Sequence, residues 1–161
     1  MRTINILCVG NLKEKYLRDM AAEYEKRLSA YCKLKITELN EYKLPDKPSK
    51  SEIEKCIEAE GASIAAKMPQ NAIVIAMCIE GEQFSSEAFS AKLEGLMADE
   101  SASELCFVIG GSYGLADSIK KRANLRFSLS KMTFTHQISR VLILEQIYRA
   151  FQISTGGKYH K

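Results

Sequence analysis

Three stretches of the chain are apolar at nearly every position, residues 3–9, 71–79 and 105–109, and glycine follows each of them at Gly10, Gly81 and Gly110–Gly111. Short uninterrupted apolar runs closed by glycine predict buried strands. Residues 33–39 alternate instead, as Lys-Leu-Lys-Ile-Thr-Glu-Leu, and predict a half-buried strand. Between these runs the spacing becomes helical. Over residues 14–31 it sets Tyr16, Leu17, Met20, Tyr24 and Leu28 on one face. Ser51 with Glu54 forms a capping-box signature for a helix reaching about residue 67, and Ser85 or Ser86 caps another reaching about 97. The second half adds a short helix at 116–123, a short strand at 126–129 and a long apolar helix at about 137–152. Residues 40–50, with two prolines, read as a loop.

Strands alternating with helices, several of the strands apolar throughout, imply an α/β fold: a mostly parallel sheet with helices on both faces. The last helix carries Ile138, Val141, Leu142, Leu144, Glu145, Ile147, Tyr148 and Phe151, a stripe wider than one core face requires. A second buried surface, most simply a dimer partner, is the expectation. At 161 residues, with 46% hydrophobic and 27% charged positions, the chain fits a single domain, 1–161, with a core of its own. No apolar run reaches the ~20 residues needed to span a bilayer. The first residues lack a cleavable leader pattern. The five cysteines have no CxxC spacing, so neither a disulfide framework nor a metal site is expected, and a reduced, cytoplasmic protein is.

Charge changes this picture. The net charge of +3 divides unevenly: residues 1–104 hold 14 basic and 18 acidic side chains, residues 105–161 hold 9 basic and 2 acidic. A basic carboxyl-terminal half suits an anionic partner such as nucleic acid, with Lys120-Lys121-Arg122 and Arg126 as candidates. Ligands of an open parallel sheet collect beyond the carboxyl ends of the strands. That draws attention to Glu80-Gly81-Glu82, to Gly110-Gly-Ser-Tyr-Gly114 and to residues 128–135. The glycine spacing is not the dinucleotide fingerprint. Lys131 stands about 20 residues beyond Gly111, where that fold would place an acid. The loop reads either as a turn with positive φ at Gly110 or Gly111, or as a backbone cradle for a cofactor. His136 reads as a helix-entry residue. His160, in the terminal Tyr159-His160-Lys161, reads either as part of a frayed tail or as part of a stacking, titratable and cationic tip.

Four segments in order, Phe-Val-Ile-Gly-Gly-Ser-Tyr-Gly-Leu (107–115), Leu-Ser-Lys-Met-Thr-Phe-Thr-His-Gln (129–137), Arg-Val-Leu-Ile-Leu-Glu-Gln-Ile-Tyr-Arg-Ala (140–150) and the terminal Tyr-His-Lys, resemble the RlmH family over essentially the whole chain. These are small SPOUT-class methyltransferases of large-subunit ribosomal RNA. The resemblance implies a carboxyl-terminal trefoil knot, an exception to the usual unknotted topology. It also implies S-adenosylmethionine bound through Met77, Cys78, Gly110, Gly111, Leu129, Ser130, Lys131, Met132, Thr133 and Phe134, a homodimer, and methylation of N3 of a pseudouridine in 23S ribosomal RNA on the assembled ribosome. No metal is implied. His160 would assist deprotonation, Tyr159 and Lys161 would position the nucleotide, and Arg140 would contribute from the helix. Two positions depart from the family pattern: Lys161 replaces a common terminal arginine, and Thr135 replaces a common proline. The alternative is a non-catalytic ribosome- or RNA-binding protein of the same fold, which would have no reason to keep a cofactor pocket.

Overall fold

A computed structural model describes residues 1–161. Five strands, β1 (Thr3–Val9), β2 (Lys33–Leu39), β3 (Ala72–Glu82), β4 (Glu104–Ile109) and β5 (Leu125–Phe127), alternate with α1 (Lys15–Leu28), α2 (Lys50–Lys67), α3 (Ser86–Ala98), α4 (Asp117–Arg122) and, last, α5 (His136–Ser154). The sheet order is β2-β1-β4-β3-β5, and every pair is parallel. The three apolar runs occupy the three central strands, where both faces are covered. The alternating run, β2, lies at an edge.

Pleating sends successive side chains of one strand to opposite cores. Ile4, Ile6 and Cys8 of β1 join Ile73, Ile75, Leu105 and Phe107 beneath α1, α3 and α5. Leu7 and Val9 join Val74, Cys106 and Val108 beneath α2 and α4. The first side buries 23 apolar residues and the second 10, so the three-helix face is the main core.

Within that face α5 lies between α1 and α3. Val141, Ile143, Leu144, Ile147 and Ala150 are buried, and Tyr148 and Phe151 pack at its margin against Tyr31 and Tyr24. A single chain therefore covers most of the wide stripe, and its width alone does not demand a partner. Ile138, at the helix start, is the exception and remains exposed. α1 differs from expectation in the same way. Ala21, Tyr24 and Leu28 face inward, whereas Tyr16 and Met20, placed by spacing on the same stripe, are 69% and 47% exposed.

Side-chain caps set the starts of three helices, α2, α3 and α5. The capping box of α2 is Ser49 with Glu52, two residues before the expected pair: Ser49 Oγ accepts from the Glu52 amide at 3.2 Å, and Glu52 accepts from the Ser49 amide at 3.0 Å. Both pairs have the required spacing, and the competing Ser51 is already helical. Ser85 caps α3 and Thr135 caps α5, the latter accepting from the Ile138 amide at 3.3 Å. At position 135 a hydroxyl thus does what a proline side chain could not.

The carboxyl-terminal half is tied to the amino-terminal half by one buried side chain. Arg140, 3% exposed, donates from Nη1 to Glu38 Oε2 at 2.6 Å and from Nη2 to the Gly10 carbonyl at 2.7 Å. Charge-assisted bonds of this kind are costly to break from one side. Replacing Arg140 with Ala should destabilise the fold by roughly 2–4 kcal/mol, and replacing Ser49 with Ala by about 1 kcal/mol. Urea unfolding with unchanged m-values checks both.

Candidate active site

The carboxyl ends of β3 and β4 and the run after β5 enclose a cleft of about 720 Å³, half of whose lining residues are hydrophobic. Volume and lining suit a small organic ligand. The strand ladders stop at its wall. β3 and β4 pair only as far as Ala76 and Val108. Opposite β5, β3 shifts register between Met77 and Glu82, so residues 78–81 bulge away from β5. Backbone groups of Cys78 and Ile79 are thereby released from the β5 ladder at the cleft. The bulge closes under a tight crossing: a Cβ on Gly81 would lie 2.7 Å from backbone atoms of Arg126 and Phe127. Beyond it, the Ser128 amide donates to the Glu82 carbonyl at 2.9 Å. β5 accordingly ends at Phe127, short of the expected 129.

The opposite wall is the glycine loop. Positive φ falls at Gly114 (+85°), not at Gly110 or Gly111. The Gly114 amide donates to the Gly111 carbonyl at 3.0 Å, folding the loop back on itself. Gly110 and Gly111 are required by crowding: a Cβ there would lie 2.7 Å from the Gly114 carbonyl carbon or 2.8 Å from a carboxylate oxygen of Glu60, respectively. The cradle is therefore built of main chain.

Nine of the ten positions carried over for cofactor binding line this cleft: Met77, Cys78, Gly110, Gly111, Leu129, Ser130, Met132, Thr133 and Phe134. Lys131 does not, and its side chain is exposed. The rim is apolar, with Tyr16, Ile79, Met132, Phe134 and Ile138 all exposed. His136, expected only as a helix-entry residue, lines the cleft beside Thr135 and Gln137. Sequence adjacency to the 129–134 run was the available signal. Cys78 is the only cysteine at the cleft. The other four are buried, and burial pushes Cys8 and Cys32 up to about 11 and Cys106 up to about 12, so they behave as apolar side chains. No group of three or more metal-ligating side chains occurs, and no helix is long and apolar enough to cross a membrane.

The other four proposed residues lie outside the cleft. Arg140 is committed to Glu38 and Gly10. The terminal tail is docked along α5: the Tyr159 hydroxyl donates to Glu145 at 3.0 Å and lies 3.3 Å from the Tyr24 hydroxyl. Its ring packs edge-on against Tyr148, with the Arg149 guanidinium 4.7 Å away. The hydrogen bonds with Tyr24 and Glu145, together with burial, hold the Tyr159 phenol above its usual range, hence protonated. His160 is engaged through both ring nitrogens, with Arg149 at 3.2 Å and Glu87 at 2.8 Å. The hydrogen bond with His160 holds the Glu87 carboxyl below its usual range. Lys161 is exposed. In the basic run, Lys120 pairs with Glu80 and Arg122 caps carbonyls of Gln70 and Ala72, while Lys121 and Arg126 remain exposed.

A parallel sheet covered on both faces, with a main-chain-lined cleft where its strands end, defines the class as an α/β enzyme with a small-molecule site at the carboxyl edge. A family model described as "Predicted SPOUT methyltransferase" matches residues 1–160; the chain belongs to this family and is a methyltransferase. It is 49% identical over 158 residues to the ribosomal RNA large subunit methyltransferase H of Clostridium acetobutylicum, covering 98% of this chain and 99% of that one. It is 50% identical over 161 residues to the protein of that name from Streptococcus sanguinis, with the same coverage. Among solved structures, a probable methylase family protein from Haemophilus influenzae shares the fold at TM-score 0.53 and 12% identity, over 98% of this chain and 70% of that one.

Behind the glycine loop, Glu60 is 5% exposed. One oxygen accepts the Tyr42 amide at 3.1 Å and the other has no partner. Burial raises the carboxyl's proton affinity in the fold. The folded state therefore holds this proton more tightly than the unfolded chain, and its contribution to stability is lost as pH rises above the ordinary carboxylate range. Glu60→Gln, which keeps an acceptor for Tyr42, should raise the melting temperature relative to wild type more at pH 8 than at pH 4. An equal difference at both pH values would count against this account.

Proposed function

We propose that the protein transfers a methyl group from S-adenosylmethionine to N3 of a pseudouridine in 23S ribosomal RNA on the assembled ribosome, acting as a homodimer. The observation that carries this reading is the coincidence of the cleft with the positions the family resemblance assigns to the cofactor. The names of relatives about half identical to this chain support ribosomal RNA as the substrate. The acid-poor carboxyl-terminal half supplies the charge for an RNA surface.

The residues present fit the cofactor. Gly110 and Gly111 let main chain approach it closely. Ile79 and the freed backbone at the β3 bulge would offer peptide groups to its heterocycle, and Met77, Leu129 and Phe127 would supply apolar wall. When bound, the cofactor supplies an electrophilic methyl group on a sulfonium. The chain's task is alignment of the nucleophile and exclusion of water, and positioning of this kind can supply ~7–11 kcal/mol of the barrier.

Tyr159, His160 and Lys161 are proposed to position the nucleotide, with Arg140 holding the α5 frame. Within one chain this tail and the cleft are separate surfaces, so the proposed role needs a second copy to bring a tail to the cleft. The exposed apolar rim, Tyr16, Met132, Phe134 and Ile138, offers a surface for that association. The trefoil crossing of the family is proposed to run where residues 126–128 pass Gly81.

Calorimetric titration should give saturable binding of S-adenosylmethionine and S-adenosylhomocysteine and none of NAD, and tritiated methyl should pass to 23S RNA in ribosomes. Failure of both cofactors to bind would overturn the assignment of the cleft. Maleimide should label Cys78 before the other cysteines in the native protein, and S-adenosylhomocysteine should slow that labelling. Sedimentation equilibrium at about twice the chain mass checks the dimer.

A further inference from the structure

We propose that His136, backed by Glu41, is the proton acceptor of the cleft. It rests on the reading above, because only a weakly acidic imide N–H requires such a group.

Of the two histidines, His136 alone lines the cleft. It is the first residue of α5. Its Nε2 is sealed from solvent, without a hydrogen bond, and faces Glu41 Oε1 at 3.3 Å. Its Nδ1 makes no hydrogen bond and is not sealed, so it is the ring nitrogen left for a ligand. The arrangement is a carboxylate behind an imidazole whose far nitrogen is free, the layout that selects one tautomer and stabilises the charged ring once it forms. The 3.3 Å contact does not have hydrogen-bond geometry, and catalytic contacts often tighten only once substrate binds.

The surroundings hold the ring in place. The Lys13 amide donates to Gln137 Oε1 at 2.9 Å, tying the first turn of α5 to the loop after β1. One turn on, Arg140 grips the Gly10 carbonyl. Glu41 lies against Gly10, where a Cβ would come within 2.6 Å of its Oε1. The charged groups around His136 are Glu41 from the segment after β2, Glu60 from α2, and Lys13, whose Nζ is 4.0 Å from Glu41. His160, by contrast, has both nitrogens occupied and lies off the cleft.

In the step proposed, the N3–H proton passes to His136 Nδ1. The N3 electron pair forms the new bond to the methyl carbon, and the carbon–sulfur pair stays on sulfur. Water takes the proton from His136 after release. Glu41 is a positioning residue in this scheme.

His136→Ala and His136→Gln should each lower the single-turnover rate on ribosomes by roughly 10²–10⁴-fold, the range for loss of a general base, with S-adenosylmethionine affinity unchanged. Their rates should climb with pH more steeply than that of wild type, as hydroxide replaces the ring. His160→Ala should weaken ribosome saturation more than it lowers the saturated rate. Independently of turnover, nitrogen-15 NMR should place the proton of the neutral form of the His136 ring on Nε2, and Glu41→Gln should abolish that preference while Glu41→Asp retains part of it. A His136 variant with the wild-type saturated rate, or a neutral ring protonated at Nδ1, would overturn the proposal. A wild-type protein that binds the cofactor but methylates no ribosome would overturn the reading beneath it, and this proposal with it.

Discussion

Every strand of the sheet runs the same way, and the rest of the molecule follows from that. Five carboxyl ends reach one rim, where the ladders stop and peptide groups lose their partners. An isolated sheet would leave those groups to water. Here the bulged end of β3 and the two segments 110–114 and 128–135 converge on the rim and turn it into a cleft lined by apolar side chains and by the main chain of the glycine loop. Glu14, Lys120 and His136 also line it, and they come from the starts of α1 and α5 and from α4.

Helix α5 is the keystone of the larger core and also the carrier of His136 at one end and of the docked tail along its length. The Arg140 bonds to Glu38 and Gly10 and the Gln137 bond to Lys13 fix where the helix begins relative to the first two strands. Stability and site geometry therefore share the same contacts. Glu145 has a comparable double duty, accepting from Arg149 at 2.6 Å and from Tyr159 at 3.0 Å, so that a helix surface becomes the seat of the terminus.

Strand runs were legible because a residue covered on both faces has no reason to be polar. The 33–39 run matched residue for residue and the 3–9 run did the same. What spacing could not decide was which of two overlapping signals wins. Ser49-Glu52 and Ser51-Glu54 are both capping boxes on paper, and the chain leaves its extended path after Ser49, which selects the first. Tyr16 and Met20 share a helical stripe with buried Tyr24, yet both are exposed, and Tyr16 stands on the cleft rim. The nine cleft-lining positions came from family resemblance and not from periodicity, because a glycine loop leaves little side-chain pattern to read. His136 was the residue least visible to sequence reasoning. Its setting depends on Glu41, on a different element with no spacing relation to it.

The strand order also dictates when the domain can assemble. β1 sits between β2 and β4, and its register joins Thr3 to Lys33 on one side and to Glu104 on the other. During synthesis the amino-terminal strand can find its first neighbour early, but the second edge, with Leu7 and Val9 beside it, stays open until residues beyond 109 have left the exit tunnel. Long-range parallel pairing of this kind is slow and exposes strand edges while it waits. The wiring of the sheet, and not the stability of the finished fold, thus sets how long that edge stays unpaired during biogenesis.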